Sequence, residues 1–190
     1  LLSPDEVKES DIADSVIVHA GSCSLSASPV AEATVKALKT GHNLGKLVSF
    51  DVNYRNLMWK DDQQACADAV KAILPYVDIL KISEEEVEML GGQENIQNLM
   101  KENQITMVVE TLGSEGALAY LGENVIQVAG RKVKAVDATG AGDAFWGAFL
   151  SSLRIQGVEK NTDLTPEIVK NAMEYGNISG CICVQSKGAI

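Results

Sequence analysis

The sequence predicts an α/β domain on a mostly parallel sheet with helices on both faces. Two observations carry that prediction. Short, continuously apolar runs alternate with helix-like stretches, and the runs lack the polar alternation of a sheet with one wet face. A glycine-rich turn, Asp137-Ala-Thr-Gly-Ala-Gly-Asp-Ala-Phe145, then leads straight into the amphipathic run AFWGAFLSSL. With 190 residues, 46% hydrophobic and 22% charged, the chain suits one such domain with a real core.

The elements follow in order. Strands are expected at SVIVHAG (15–21), KLVSFDVN (46–53), DILKIS (78–83) and ITMVVET (105–111). Between them, 29–39 reads as a helix that opens at Pro29 and stops before Gly41. Residues 61–74 begin with acids and stop at Pro75. Residues 83–90 carry Ser83 with Glu86 three positions on, the pattern of a capping box, and end at Gly91-Gly92. A further helix covers 94–102. After 111 the pattern changes: GALAYLG and NVIQVAG read as an antiparallel hairpin across 116–129, with Gly122 beside the turn. VKAV (133–136) reads as a short strand and 142–154 as a long helix. A polar loop covers 154–164. A last helix opens at Thr165-Pro166-Glu167 and runs to about 184.

Bulk properties exclude some partners. A net charge of −10 argues against nucleic acid and against an anionic membrane as the main partner, since both need a basic footprint. No apolar run is long enough to span a bilayer. The cysteines, at 23, 66, 181 and 183, form no Cys-x-x-Cys pair and lie far from His19 and His42 in sequence, so buried thiols are expected and no zinc site. With no secretory leader pattern, the expected location is a reducing cytoplasm.

The chemistry centres on the glycine turn. The first N–H groups of a helix have no internal acceptor and carry the positive end of its dipole. Residues with little or no side chain let an anion approach them. Gly140-Ala141-Gly142 would hold developing negative charge, and the Asp143 carboxylate beside them would accept a proton. That pairing suits phosphoryl transfer to a hydroxyl. An ordinary reading stays open at this point, because Asp is a common N-cap and Gly a common neighbour of helices. A second glycine turn, ETLGSEGALAY (110–120), follows another apolar strand. Its Thr111, Gly113 and Gly116 would bring backbone near a ligand at the sheet's carboxyl edge. Neither a Walker A motif nor a G-x-G-x-x-G after the first strand is present.

Other residues carry two readings. Arg55, beyond Asp51 and Asn53 at a strand end, is either a substrate or phosphate contact or half of an Arg–Asp pair. Trp59 is expected in the core, His19 as a satisfied core histidine, and Lys81 paired with the acids Glu84, Glu85 and Glu86.

Five segments together resemble the ribokinase-like, PfkB-type carbohydrate kinases, and within them the bacterial fructokinases: SFDVNYRNLMW (49–59), ILKISEEEVEML (79–90), VVETLGSEGALAY (108–120), VDATGAGDAFWGAFL (136–150) and, more weakly, YGNISGCICVQSKGAI (175–190). The resemblance implies a three-layer α/β/α fold and transfer of a phosphoryl group from MgATP to a sugar. It implies Asp143 as the base at the sugar hydroxyl, Gly140, Ala141 and Gly142 as the anion hole, and Thr111, Gly113 and Gly116 as the nucleotide turn. Asn177, Gly188 and Ala189 would line the adenine pocket. Ser83 and Glu86 match an Asn-x-x-Glu linked to magnesium and phosphate, with serine in place of asparagine. Asp137 and Thr139 match residues that hold potassium in many relatives.

The family's first strands, sugar-binding Gly-Gly motif and β lid have no counterpart here. The expectation is therefore one incomplete kinase domain over 1–190, with weak or no activity by itself and a homodimer in the full-length protein. Ala27 before Ser28-Pro29 disfavours ribose. Fructose is the expected sugar; 2-keto-3-deoxygluconate, a nucleoside or vitamin, and a non-catalytic nucleotide-binding module are the alternatives.

Overall fold

The computed structural model describes residues 1–189, and the chain divides into two compact units, Leu1–Val108 and Val109–Ile190. Six strands form a sheet in chain order. The fold class is the expected one, a largely parallel sheet with flanking helices and an antiparallel hairpin.

In the first unit a 3-10 turn, Pro4–Glu6, precedes α1 (Glu9–Ala13) and β1 (Ile17–Gly21). Helix α2 (Val30–Asn43) leads to β2 (Leu47–Asp51), followed by the single turn α3 (Asn56–Trp59) and α4 (Gln63–Ile73). Strand β3 (Ile79–Ser83), α5 (Glu84–Met89) and α6 (Ile96–Asn103) complete it. Strands β1, β2 and β3 pair in parallel, with Phe50 opposite both Ala20 and Leu80. Every residue of β2 is buried, as a strand covered on both faces must be.

Local chemistry sets the helix starts. The Asp62 side chain accepts the Ala65 N–H at 2.9 Å and caps α4. Ser83 and Glu86 close the expected capping box on α5. Each cap of this kind is worth about 1 kcal/mol.

Strand β4 (Met107–Thr111) spans the division between the units. In the second unit β5 (Gly116–Leu121) and β6 (Asn124–Ala129) form the hairpin, closing with Leu121 opposite Asn124 and Gly122 at φ 55°. Two helices follow, α7 (Ala141–Ile155) and α8 (Pro166–Cys183), the latter capped by Thr165. They pack on one another. A Cβ on Gly176 of α8 would lie 2.9 Å from the Phe145 ring of α7, so the contact requires glycine there. Trp146 and Phe149, one turn apart, stack with ring centroids 4.7 Å apart.

Four expectations need correction. Helix α2 does not stop before Gly41 but runs to Asn43. A Cβ on Gly41 would meet Val18 Cγ2 at 2.7 Å, so this glycine serves close packing of α2 on β1. Residues 133–136 form no strand; Val133 and Val136 are exposed, and the Val136 N–H goes to the Val184 carbonyl at 2.7 Å instead of to a ladder. His19 is exposed, with Nδ1 3.0 Å from Ser49 Oγ, because β1 has a strand neighbour on one side only among the described residues. Lys81 pairs with Asp51 and not with the acidic run: the register sets them opposite each other, and the 2.8 Å ion pair is almost fully buried. Trp59 is buried, as expected.

All four cysteines are free thiols, with Cys66 and Cys183 buried and Cys23 and Cys181 half-buried. Burial also pushes the Cys66 thiol above its ordinary value of 9.0, which thins its thiolate further. Ellman's reagent at pH 8 should therefore modify Cys23 and Cys181 in the native chain and leave Cys66 until denaturant is added. Labelling of Cys66 at the rate of an exposed thiol would contradict the packing described.

Candidate functional site

The second unit contains the glycine turn. Gly140 is the N-cap of α7 at φ 77°, a left-handed backbone that favours glycine. Helix α7 starts one residue earlier than expected, so Asp143 is its third residue and not its cap. The Ala144 N–H reaches the Gly140 carbonyl at 2.8 Å, and the Ala141 N–H is taken by the Ala138 carbonyl at 3.1 Å. Gly142 and Asp143 complete the first turn of the helix, at the positive end of its dipole. Both residues are exposed, so the start of α7 faces solvent beside the Asp143 carboxylate.

The turn is tied to the end of α8. The Val184 carbonyl accepts from the N–H groups of Val136 and Asp137, at 2.7 and 3.2 Å. Asp137 accepts the Thr139 N–H at 2.9 Å and the Gly188 N–H at 3.0 Å. Those bonds, led by the one from Thr139, hold its carboxyl below the ordinary 3.8. The Cys183 thiol donates to the Thr139 carbonyl at 3.5 Å. A Cβ on Gly140 would lie 2.5 Å from Ala189 Cβ, so the cap and the 188–189 segment touch. Asp137, Thr139, Gly140, Gly188 and Ala189 are thus brought together.

The 111–116 turn belongs to the same unit. Gly113, at φ 53°, is exposed with open space around it, which leaves its backbone accessible to a ligand. Gly116 is buried at φ 107°, and a Cβ there would lie 2.1 Å from the Val128 carbonyl oxygen. The hairpin itself therefore explains Gly116. Asn177 donates to the Ala129 carbonyl at 3.2 Å and lines a cleft of about 460 Å³ with Gln127, Arg131, Lys170 and Glu174.

The first unit contains a separate group. Arg55, Ser83 and Glu86 line a cleft of about 300 Å³ with Tyr54, Asn56, Gln63, Glu85 and Met89. Arg55 is exposed and its Nη1 donates to the Tyr54 carbonyl at 3.0 Å; among the described residues it has no Asp partner. Glu86 is buried and ties two backbone segments, accepting the Tyr54 N–H at 2.6 Å and the Ser83 N–H at 2.8 Å. Burial raises its carboxyl above the ordinary 4.5, against the pull of those two amides. The folded state keeps that proton to higher pH than the unfolded chain does. This contribution to stability is therefore complete at low pH and is lost as pH rises above 4.5 through the raised value.

The oxygens of Asp137, Thr139 and Glu86 are of the type that hard cations take, and each already accepts a hydrogen bond from the protein. A bound cation would share them. The sequence reading missed Tyr54, Asn56 and Gln63 in the first cleft and Arg131 and Lys170 in the second. Only the basic run Arg131-Lys132-Val133-Lys134 could have pointed to any of them.

Comparison with known proteins gives consistent findings. The pfkB family carbohydrate kinase pattern matches residues 2–190. Fructokinase-1 of Zea mays is 34% identical over 195 residues, covering all of this chain and 59% of the relative. A fructokinase from Vibrio cholerae O395, solved with fructose, ADP and calcium, superposes with a TM-score of 0.81 at 32% identity, over 96% of this chain and 60% of that one. An ATP-bound fructokinase from Xylella fastidiosa reaches a TM-score of 0.90 at 23% identity, over all of this chain and 61% of that one, which shows the shared fold. The chain spans about 59% of the length of curated fructokinase relatives that it matches.

Gly140 and Gly147 lie in the same helical region and separate the two uses of glycine. At Gly140 a Cβ meets both a left-handed φ and Ala189; at Gly147, inside α7, nothing lies within 4 Å. Gly140→Ala should lower unfolding stability by about 1–3 kcal/mol. Gly147→Ala should raise it by up to about 1 kcal/mol. Urea melts of both variants check this, and equal effects would remove the special status of the cap.

Proposed function

Because the chain belongs to the pfkB family of carbohydrate kinases, we propose that it supplies the nucleotide-binding and base-bearing portion of an ATP-dependent sugar kinase, with fructose as the acceptor. One observation carries the reading: a glycine-capped helix start, open to solvent, with an exposed carboxylate at its third residue.

In this account the γ-phosphoryl group lies against the start of α7. The Gly142 and Asp143 amides and the helix dipole stabilise charge that grows on its oxygens. Asp143 takes the proton of the attacking sugar hydroxyl, and the phosphoryl passes in line with no covalent intermediate. Thr111 and Gly113 support the phosphates, and Asn177, Gly188 and Ala189 support the base. Magnesium, when bound, neutralises phosphate charge. Glu86 is its assigned contact through water, and its visible work is to fix the loop that carries Arg55. Potassium beside Asp137 and Thr139 belongs to the same reading. So do a homodimer of the longer protein, a cytoplasmic location and sugar-selecting residues from outside these 190.

A second reading has an observation of its own. Arg55 is exposed at its cleft without an acidic partner among the described residues, which suits a carboxylate-bearing sugar such as 2-keto-3-deoxygluconate. ATP turnover by the full-length protein against fructose, 2-keto-3-deoxygluconate, ribose and a nucleoside separates these readings. Turnover with fructose alone supports the first. ATP binding with no acceptor used would leave only a nucleotide-binding module.

Asp143→Asn should lower kcat by about 10²- to 10⁴-fold while leaving ATP affinity within about twofold. Coupled ADP-release kinetics and calorimetry measure the two. Wild-type turnover in that variant would remove Asp143 as the base.

A further inference from the structure

The proposed nucleotide site draws on two stretches far apart in sequence, the turn at 137–143 and the segment at 185–189. One side chain touches both. Asp137 Oδ1 accepts the Thr139 N–H at 2.9 Å, and Oδ2 accepts the Gly188 N–H at 3.0 Å. We propose that Asp137 is a positioning residue, a latch that holds the phosphate turn and the 185–189 segment as one piece before nucleotide arrives. Its purpose rests on the nucleotide reading above; its geometry does not.

The surrounding contacts show why a latch has an effect here. The end of α8 is already fixed to the root of the turn, by the Val184 carbonyl with two amides and by the Cys183 thiol on Thr139. Gln185 and Ser186 are tied back to α8 through the Ile182 and Cys183 carbonyls. Beyond them, the Gly188 N–H to Asp137 is the one hydrogen bond that residues 187–189 make among the described residues. Without it the segment loses its polar attachment to the turn. With it, Ala189 rests on Gly140, where a Cβ would approach to 2.5 Å. Amide bonds to a carboxylate are charge-assisted and stronger than those to a neutral acceptor. A segment ordered in advance removes an entropic cost that nucleotide binding would otherwise bear.

The resemblance assigns Asp137 to a monovalent cation, and the two roles separate by experiment. Amide hydrogen exchange is followed by NMR on the 190-residue chain in tetramethylammonium buffer, free of potassium and sodium. The latch predicts that the Thr139 and Gly188 amides are protected in this buffer. In Asp137→Asn, which keeps only one acceptor oxygen, Gly188 exchange should accelerate by about tenfold or more while the Val136 amide, bonded to Val184, stays slow. ADP affinity by calorimetry should fall by about tenfold in the same variant. Rapid wild-type exchange at Gly188, exchange unchanged by Asp137→Asn, or protection that appears only on adding potassium would each overturn the latch. If the variant also loses Val136 protection, the wild-type result in cation-free buffer decides alone. A wild-type chain that binds no ADP would count against the nucleotide reading, and the exchange rates would still decide on the latch.

Discussion

Helix α7 is capped by a glycine with a left-handed backbone, and that cap determines what the second unit can do. A side chain at Gly140 would both strain the cap and collide with Ala189. The price of this tight start is a cap position that favours glycine. Its result is a helix start at which Gly142 and Asp143 are exposed, with the Asp143 carboxylate on the first turn. An anion finds there both the positive end of a dipole and space to approach it. Removing the exposure would leave the Gly-Ala-Gly run as an ordinary connection into a helix.

Two other carboxylates share a different role. Asp137 and Glu86 each use both oxygens to accept backbone N–H groups from two segments, Thr139 with Gly188 and Ser83 with Tyr54. In each case the acid sits where an irregular stretch must be held in place near a regular element. Such a bridge orders backbone without needing a large core, which suits loops whose own side chains are small or polar. The buried Lys81–Asp51 pair completes the arrangement in the first unit by fixing the end of β2 against β3.

Much of this was legible in the sequence because its causes are local. The Ser83/Glu86 capping box, the Thr165-Pro166 helix start and the Gly122 turn each depend on residues within a few positions, and all three form. The readings that failed depend on residues distant in sequence. Gly41 does not end its helix; it is glycine because Val18, on another element, leaves no room for a Cβ. Lys81 pairs with Asp51 because of strand register, which no local pattern gives. The segment at 133–136 has the composition of a strand but its amide is taken by the end of α8. The candidate site divides in the same way. The glycine turn stood out by spacing, whereas the contacts of Cys183, Val184 and Gly188 with it follow only from the path of the chain.

The most direct test is to titrate MgADP into the isotopically labelled chain and follow its backbone amides by NMR. The account predicts that the largest shifts fall on Gly113, on Gly142 and Asp143 at the start of α7, and on Gly188. Saturating nucleotide that leaves these amides in place, or that moves only the Arg55 and Glu86 region, would contradict the claim that an open helix start receives the phosphates.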